Sequence, residues 1–127
     1  MKLYKNFDIP KNHKGSIILI GNFDGVHVGH QKLFKLANIY KKKFNLDVGV
    51  LTFEPMPKMF FNKDIKNFRI LNINQKNIIL KRLGVDFVIT QKFDKKFSKV
   101  KSDFFIKKIL SKKLEAKYIF VSNNFKF

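Results

Sequence analysis

The feature that most constrains this chain is a glycine-rich segment between an apolar run and an amphipathic stretch. The apolar run, Ile17–Ile20, leads into residues 21–30, which read GNFDGVHVGH and hold two of the three histidines. Small residues let a phosphate approach the main chain closely, and backbone N–H groups at a helix N-terminus attract anions. Imidazole donors can follow charge as it develops on a phosphate oxygen. The pattern therefore predicts a strand, a loop and a helix that form a nucleotide-phosphate site.

Two plainer interpretations stay open from the residues alone. A glycine-bounded turn between a strand and a helix is common, and glycines at 21, 25 and 29 do not follow the GxGxxG spacing of dinucleotide folds. An ordinary turn is therefore as well supported as a phosphate site. A metal site at His27 and His30 is weaker, because the chain has no cysteine and no third ligand nearby in sequence.

Four short runs rich in apolar, β-branched or aromatic residues predict strands, at 16–21, 48–53, 86–90 and 118–122. Helical patterns lie between them, and this alternation implies parallel pairing through crossover helices. We expect an α/β fold, a Rossmann-like open sheet of about four parallel strands with flanking helices.

Three amphipathic stretches predict these helices, with apolar positions in the core and lysines on the outer faces. Asn72 or Asn74 would cap the second helix, which Gly84 ends, and Ser102 would cap the third. The apolar positions of the first helix are Leu33, Leu36, Ala37, Tyr40 and Phe44, and those of the third are Phe105, Ile106, Ile109 and Leu110.

Composition favours one folded domain in a reducing compartment. The 127 residues are 45% hydrophobic, include no cysteine, and contain no apolar run of membrane-spanning length. The net charge of +18 comes from 25 lysines but only two arginines, Arg69 and Arg82. Because arginine is preferred for base and bidentate phosphate contacts, specific nucleic-acid binding is not expected. We expect a cytoplasmic protein without a membrane partner, whose positive field attracts anionic ligands.

Three segments that carry candidate functional residues each begin where a predicted strand ends, at 21–30, 53–61 and 122–127. The carboxyl ends of parallel strands share one edge of a sheet, where ligands bind at the point of strand-order reversal. The connection from Glu54 to about Asn72 is also longer than a plain link and rich in phenylalanine, which favours a binding loop. The three segments are thus predicted to line one crevice.

The segment GNFDGVHVGH resembles the HxGH signature of the nucleotidylyltransferase superfamily. In the form FDGVHxGH it is similar to the FMN adenylyltransferase (FAD synthetase) domain of the bacterial bifunctional riboflavin kinase/FAD synthetase family. Three more segments follow in that family's order: TFEPMP at 52–57 for TFEPHP, LGVD at 83–86, and NFKF at 124–127 for (D/N)FxFG. The resemblance covers nearly the whole chain.

The resemblance implies adenylyl transfer from ATP to FMN, which gives FAD and pyrophosphate, with Mg²⁺ accompanying ATP and metal ligands unassigned. His27 and His30 would be the catalytic residues and would bind ATP phosphates from a loop or first turn outside the core. The residues implied for ATP binding are Gly21, Asn22, Phe23, Asp24 and Gly29. Those implied for flavin binding are Pro55, Pro57, Phe61, Asn124 and Phe127.

The chain departs from the family pattern in three places. Met56 replaces the histidine of TFEPHP, Ser122 stands where a glycine is expected, and the downstream serine-rich motif ending in arginine has no counterpart. The expected organisation is therefore residues 1–127 as the N-terminal part of an FMN adenylyltransferase domain, without a riboflavin kinase domain. The missing segment would come from the rest of the gene or from another chain. The alternatives are an inactive, truncated flavin- or nucleotide-binding module and another HxGH nucleotidylyltransferase, the latter disfavoured by TFEPMP.

Overall fold

The computed structural model describes residues 1–24, 28–55 and 72–122, and only the backbone of Val28 and Gly29. Within these residues five parallel strands form one sheet in the order β1-β4-β3-β2-β5. The strands are β1 (Lys2–Tyr4), β2 (Ile17–Ile20), β3 (Val48–Glu54), β4 (Phe87–Lys92) and β5 (Tyr118–Val121). The predicted parallel α/β sheet is confirmed. Sequence reasoning missed β1 because its three residues include no apolar run.

Helices cover both faces of the sheet. They are α1 (Val28–Phe44), α2 (Ile73–Arg82), α3 (Lys95–Ser98) and α4, which runs over Ser102–Phe104 and continues through Phe105–Lys113. A short 3-10 turn at Lys11–His13 precedes β2. No helix in the described part of the chain is both long and apolar enough to cross a membrane.

Alternate residues of β2 enter two separate cores, as expected for a strand buried on both faces. Ile17 and Leu19 pack in a cluster with Phe34 of α1 and Leu80 of α2. Ile18 and Ile20 belong to a second cluster, which includes Phe53, Phe97, Phe105 and Leu114. The sheet is therefore the middle layer of three, and the continuous apolar run that predicted β2 reflects burial on both sides.

The start and end of α2 follow the predicted signals. Asn72 accepts a hydrogen bond from the Gln75 backbone N–H (2.8 Å), and the Gln75 side chain accepts one from the Asn72 N–H (3.0 Å). These reciprocal bonds satisfy two N–H groups that a helix start leaves without helical partners. Gly84 follows the helix with a φ of +91°, a conformation that favours glycine. The Asn72 cap and the Gly84 stop are confirmed.

Two details predicted for α4 are wrong. The residue that precedes the helix is Lys101, without a side-chain cap, and Ser102 is already helical. Ile106 is 55% exposed, whereas Phe105, Ile109 and Leu110 are buried. From Phe105 onward the helix has π-type hydrogen bonding, with more residues per turn than the 3.6 that the prediction assumed. This wider turn moves Ile106 away from the buried face.

Fewer of the apolar positions in α1 are buried than the sequence predicted. Leu33 and Tyr40 pack against the core and Ala37 is within it, but Leu36 and Phe44 are exposed. The Phe44 ring stacks on Tyr118 with centroids 5.2 Å apart. Phe44 therefore extends an aromatic cluster at the edge strand β5 and is not a buried core residue.

Candidate active site

Strand order places the beginnings of three predicted segments at neighbouring strand ends. From β2 the chain moves through β3 to β4 on one side, and then returns to form β5 on the other side of β2. The order thus reverses at β2, which is where open parallel sheets bind ligands at their carboxyl edge. Because β3, β2 and β5 are neighbours, the segments that follow them begin at adjacent strand ends, as predicted.

Gly21, directly after β2, lies close to Ser122, directly after β5. Its N–H donates to the Leu51 carbonyl (3.1 Å), and the Ser122 N–H donates to the Ile20 carbonyl (2.9 Å). A Cβ at position 21 would lie 2.7 Å from the Ser122 Cβ and 3.1 Å from the Phe23 ring. Only glycine fits without a shift of its neighbours, so this glycine has a packing role in addition to its predicted ligand role.

The buried side chain of Phe23 fixes the backbone of the loop. Its φ is +53°, which is uncommon for a residue with a side chain, and the residue is 1% exposed. The ring lies 5.0 Å from the His30 ring and 5.2 Å from the Phe34 ring, measured between centroids. The strained backbone persists because the buried ring fixes it. The ring is thus a core group and is not available to a ligand.

His30 is more deeply placed than the sequence suggested. It lies in the first turn of α1, as predicted, but is 6% exposed, so the expectation that it lies outside the core is wrong. Its Nε2 lies 3.1 Å from the hydroxyl of Ser122, which is also buried. Gly29 is the second residue of the same helix. His27 lies outside the described residues.

Asn22 and Asp24 occupy the half-buried surface of the loop. The Asn22 Oδ1 is buried and has no hydrogen-bond partner in the described part of the chain. Because an unsatisfied buried acceptor costs about 1–3 kcal/mol, such an atom is a candidate ligand contact. The Asn22 backbone carbonyl, in contrast, accepts a hydrogen bond from Lys76 Nζ (3.1 Å).

Lys76 contacts the candidate site, and sequence reasoning missed it. The prediction placed lysines on helix exteriors, but Lys76 is 6% exposed, and its Nζ lies 3.3 Å from Thr52 Oγ1 of β3 in addition to Asn22. A signal was present in the sequence, because Lys76 precedes Leu80 by four residues and so shares its face of α2. A lysine on the buried face of a helix indicates a specific partner in the interior.

The structure describes only the beginning of the segment predicted to bind flavin. Pro55 is half-buried at the end of β3, and the preceding Glu54 carbonyl accepts a hydrogen bond from the Phe93 N–H (3.0 Å). Glu54 also borders a groove of about 360 Å³ whose other lining residues include Tyr4 and Thr90. Most of the predicted binding loop after β3 lies outside the described residues, as do the remaining flavin candidates Pro57, Phe61, Asn124 and Phe127.

The LGVD segment lies at the opposite edge of the sheet. Its Asp86 accepts hydrogen bonds from Lys41 Nζ (2.8 Å) and from the backbone N–H of Val48 at the start of β3 (2.9 Å). Lys41 also donates to the Gly84 carbonyl (3.1 Å). This segment therefore joins α1 to the amino ends of the strands, and its role in the described structure is architectural.

Comparisons with known proteins identify relatives of this chain. The model of a family described as FAD synthetase matches residues 9–127. A bifunctional riboflavin kinase/FMN adenylyltransferase of Buchnera aphidicola from Schizaphis graminum is 38% identical over 130 residues, which cover 100% of this chain and 41% of that protein. The Escherichia coli K12 protein of the same name is 37% identical over 114 residues, covering 90% of this chain and 36% of its own length.

A solved structure shares the fold. The crystal structure of a macrolide-efflux protein from Streptococcus pneumoniae superimposes with a TM-score of 0.77 at 30% identity, covering 98% of this chain and 41% of that one. The chain thus spans about two fifths of the length of the proteins it resembles. Since the family model extends over nearly all of its residues, the chain belongs to the FAD synthetase family.

Proposed function

We propose that this chain carries the FMN adenylyltransferase activity named for its curated relatives, with Mg·ATP and FMN as substrates and FAD and pyrophosphate as products. The observation that carries the proposal is the convergence of Asn22, His30 and Ser122 at the strand-order reversal, where open α/β sheets bind ligands. The family match supplies the reaction. The efflux function named for the streptococcal protein is not carried over, because family model and curated relatives agree on flavin chemistry.

In the proposed reaction an oxygen of the FMN phosphate attacks the α-phosphorus of ATP. The bond from the α-phosphorus to the bridging oxygen breaks, and pyrophosphate leaves with that oxygen. No covalent enzyme intermediate is required, so the chain's task is to align the two substrates and stabilise the added negative charge. Donors held rigidly in place do this best, and the buried imidazole of His30 is one such group.

On the nucleotide side, we assign phosphate contacts to His27, to His30 and to the main chain of the loop at 21–24. Gly21 and Gly29 would let a phosphate approach the main chain closely at these two positions. The buried Asn22 Oδ1 needs a hydrogen-bond donor, which a hydroxyl or amino group of the nucleoside can supply. Asp24 would orient the loop or contact the magnesium ion that arrives with ATP.

On the flavin side, we assign Pro55, Pro57, Phe61 and Phe127 to the isoalloxazine ring and Asn124 to the FMN phosphate or its metal ion. The half-buried Pro55 leads into this segment directly from β3, two strands' width from the carboxyl end of β5. Residues 1–127 are proposed to be the N-terminal part of the adenylyltransferase domain, acting in the cytoplasm.

The test is to incubate the purified chain with FMN, ATP and MgCl₂ and to measure FAD by chromatography and pyrophosphate by a coupled assay. We expect both products in equal amounts, with greater turnover by a version extended to the length of the curated relatives. The matched control omits ATP. Binding of neither ATP nor FMN by either folded version would overturn the proposal, and binding of both without FAD formation would support an inactive module instead.

A further inference from the structure

A buried lysine lies directly behind the loop assigned to ATP. Lys76 extends from the first turns of α2, where Asn72 and Gln75 fix the helix start by their reciprocal hydrogen bonds. Its Nζ reaches the Asn22 carbonyl at 3.1 Å and the Thr52 hydroxyl at 3.3 Å. One side chain therefore joins α2, the end of β3 and the loop after β2.

Burying the ammonium group of Lys76 costs free energy, which specific partners have to offset. An ammonium group loses its hydration when a protein encloses it, and the hydrogen bonds to Asn22 and Thr52 offset part of that loss. Most of the other described lysines are exposed, so Lys76 is an exception in a chain that has ample surface for lysine. Buried ionisable groups with specific partners are concentrated at functional sites.

The hydrogen bond to Asn22 also fixes the direction of a backbone N–H group. In a trans peptide the carbonyl and the following N–H point in opposite directions. Because the Asn22 carbonyl points at the buried Lys76 Nζ, the Phe23 N–H points away from it. The φ of +53° at Phe23 then affects the orientation of the peptide that follows it. The contact with Lys76 therefore fixes the orientation of the Asn22–Phe23 peptide.

We propose that Lys76 is a positioning residue for the triphosphate of ATP: it holds the Asn22–Phe23 peptide with its N–H toward the nucleotide and places a positive charge behind that peptide. This inference rests on the proposed function, since it assigns Lys76 to the ATP side of the same site. Lys76 touches no reacting atom. Its influence passes through the Asn22 carbonyl and through the electrostatic potential of the loop.

The first experiment compares Lys76→Met with Lys81→Met, an exposed lysine of the same helix, by titrating each with Mg·ATP and with FMN in a calorimeter. We expect Lys76→Met to bind ATP at least tenfold more weakly while FMN affinity stays within twofold, and Lys81→Met to match the wild type for both. A purely structural role would weaken both ligands alike, so equal losses for ATP and FMN would overturn the inference. Lys76→Gln, which is polar and neutral, is the second variant if Lys76→Met does not fold.

A chemical rescue separates the charge from the packing. The chain has no cysteine, so Lys76→Cys provides a unique thiol. Alkylation with 2-bromoethylamine in denaturant, followed by refolding, rebuilds an ammonium side chain of nearly lysine length, whereas iodoacetamide gives a neutral one. Wild-type protein taken through the same treatment is the control. We expect the first product to regain ATP affinity and the second not to, and equal affinities for the two products would overturn the inference.

The outcomes for the two proposals differ. Binding of neither ATP nor FMN by the folded chain or by its extended version would overturn the proposed function and the inference with it. Wild-type binding that survives unchanged in Lys76→Met and Lys76→Gln would overturn the inference alone. Amide hydrogen exchange adds a ligand-free measurement, for which we expect at least tenfold faster exchange at residues 22–24 in Lys76→Met and unchanged exchange in β4.

Discussion

His30 and Ser122 are 92 residues apart in the sequence, and the His30 Nε2 lies 3.1 Å from the Ser122 hydroxyl in the folded chain. Both residues are buried, one in the first turn of α1 and the other directly after β5. The contact joins the start of the helix assigned to phosphate binding to the neighbouring strand end. The serine that departs from the glycine expected in the family thus holds a candidate catalytic imidazole.

The first prediction concerns this serine. Ser122→Ala removes the hydroxyl partner of a buried imidazole nitrogen, so we expect the free energy of unfolding to fall by about 1–3 kcal/mol. Urea denaturation measures this loss. Ser111→Ala, at an exposed position of α4, is the matched control and should change stability by less than about 0.5 kcal/mol. Equal stabilities for the two variants would show that the 3.1 Å contact contributes nothing.

The second prediction concerns the two histidines. Because His30 is buried against Phe23, His30→Ala should lower stability by about 2 kcal/mol or more as well as weaken phosphate binding. His27→Ala is expected to act on phosphate binding. In a version that turns over, the loss of one positioned donor should lower kcat by about 100-fold to 1000-fold.

His30→Gln separates these two effects, because it retains a polar side chain and an N–H donor. Turnover is compared per folded molecule, with the folded fraction taken from circular dichroism at the assay temperature. Wild-type turnover by both His27→Ala and His30→Ala would contradict the catalytic assignment.

The third prediction concerns the packing of Phe87 in β4 against Gly49 in β3. A Cβ added to Gly49 would lie 2.2 Å from the Phe87 ring, which fills the space over this glycine. Gly49→Ala should therefore destabilise the fold by about 1–3 kcal/mol through overpacking. Thermal unfolding measures the loss. The double variant Gly49→Ala, Phe87→Leu should lose less than the sum of the two single changes, since residues in contact are not additive. Full additivity would mean that the ring and the new methyl group do not meet.

The sheet could be predicted because local pattern and burial agree in it. Ile17–Ile20 is continuously apolar since both of its faces are covered, and Asn72 and Gly84 mark the bounds of α2 by their own chemistry. Ile106 could not be placed correctly, because a π-type turn changes the period from which its face was inferred. The strand β1 is held by its pairing with β4. Because it has only three residues, it shows no sequence pattern from which it could be predicted.

The sequence also predicted part of the candidate site. Motif and topology together located the loop at 21–24 and the first turn of α1 at the point of strand-order reversal. The depth of His30 and its Ser122 partner depend on an approach of β5 that no local pattern encodes. Lys76 was overlooked because its charge suggested a solvent-exposed position, although its spacing from Leu80 placed it on the buried face of α2.

The last prediction concerns the flavin side. Proline and phenylalanine side chains assigned to the isoalloxazine ring should exclude water from it, and burial of apolar surface gives a negative heat-capacity change on binding. We expect calorimetric titrations of FMN at several temperatures to show a binding enthalpy that becomes more negative as temperature rises. Phe61→Ala should make this slope shallower, whereas Phe104→Ala, at an exposed position of α4, should leave it unchanged. A slope that Phe61→Ala does not alter would remove Phe61 from the flavin site, and a folded chain that binds ATP but no FMN would instead favour another nucleotidylyltransferase substrate.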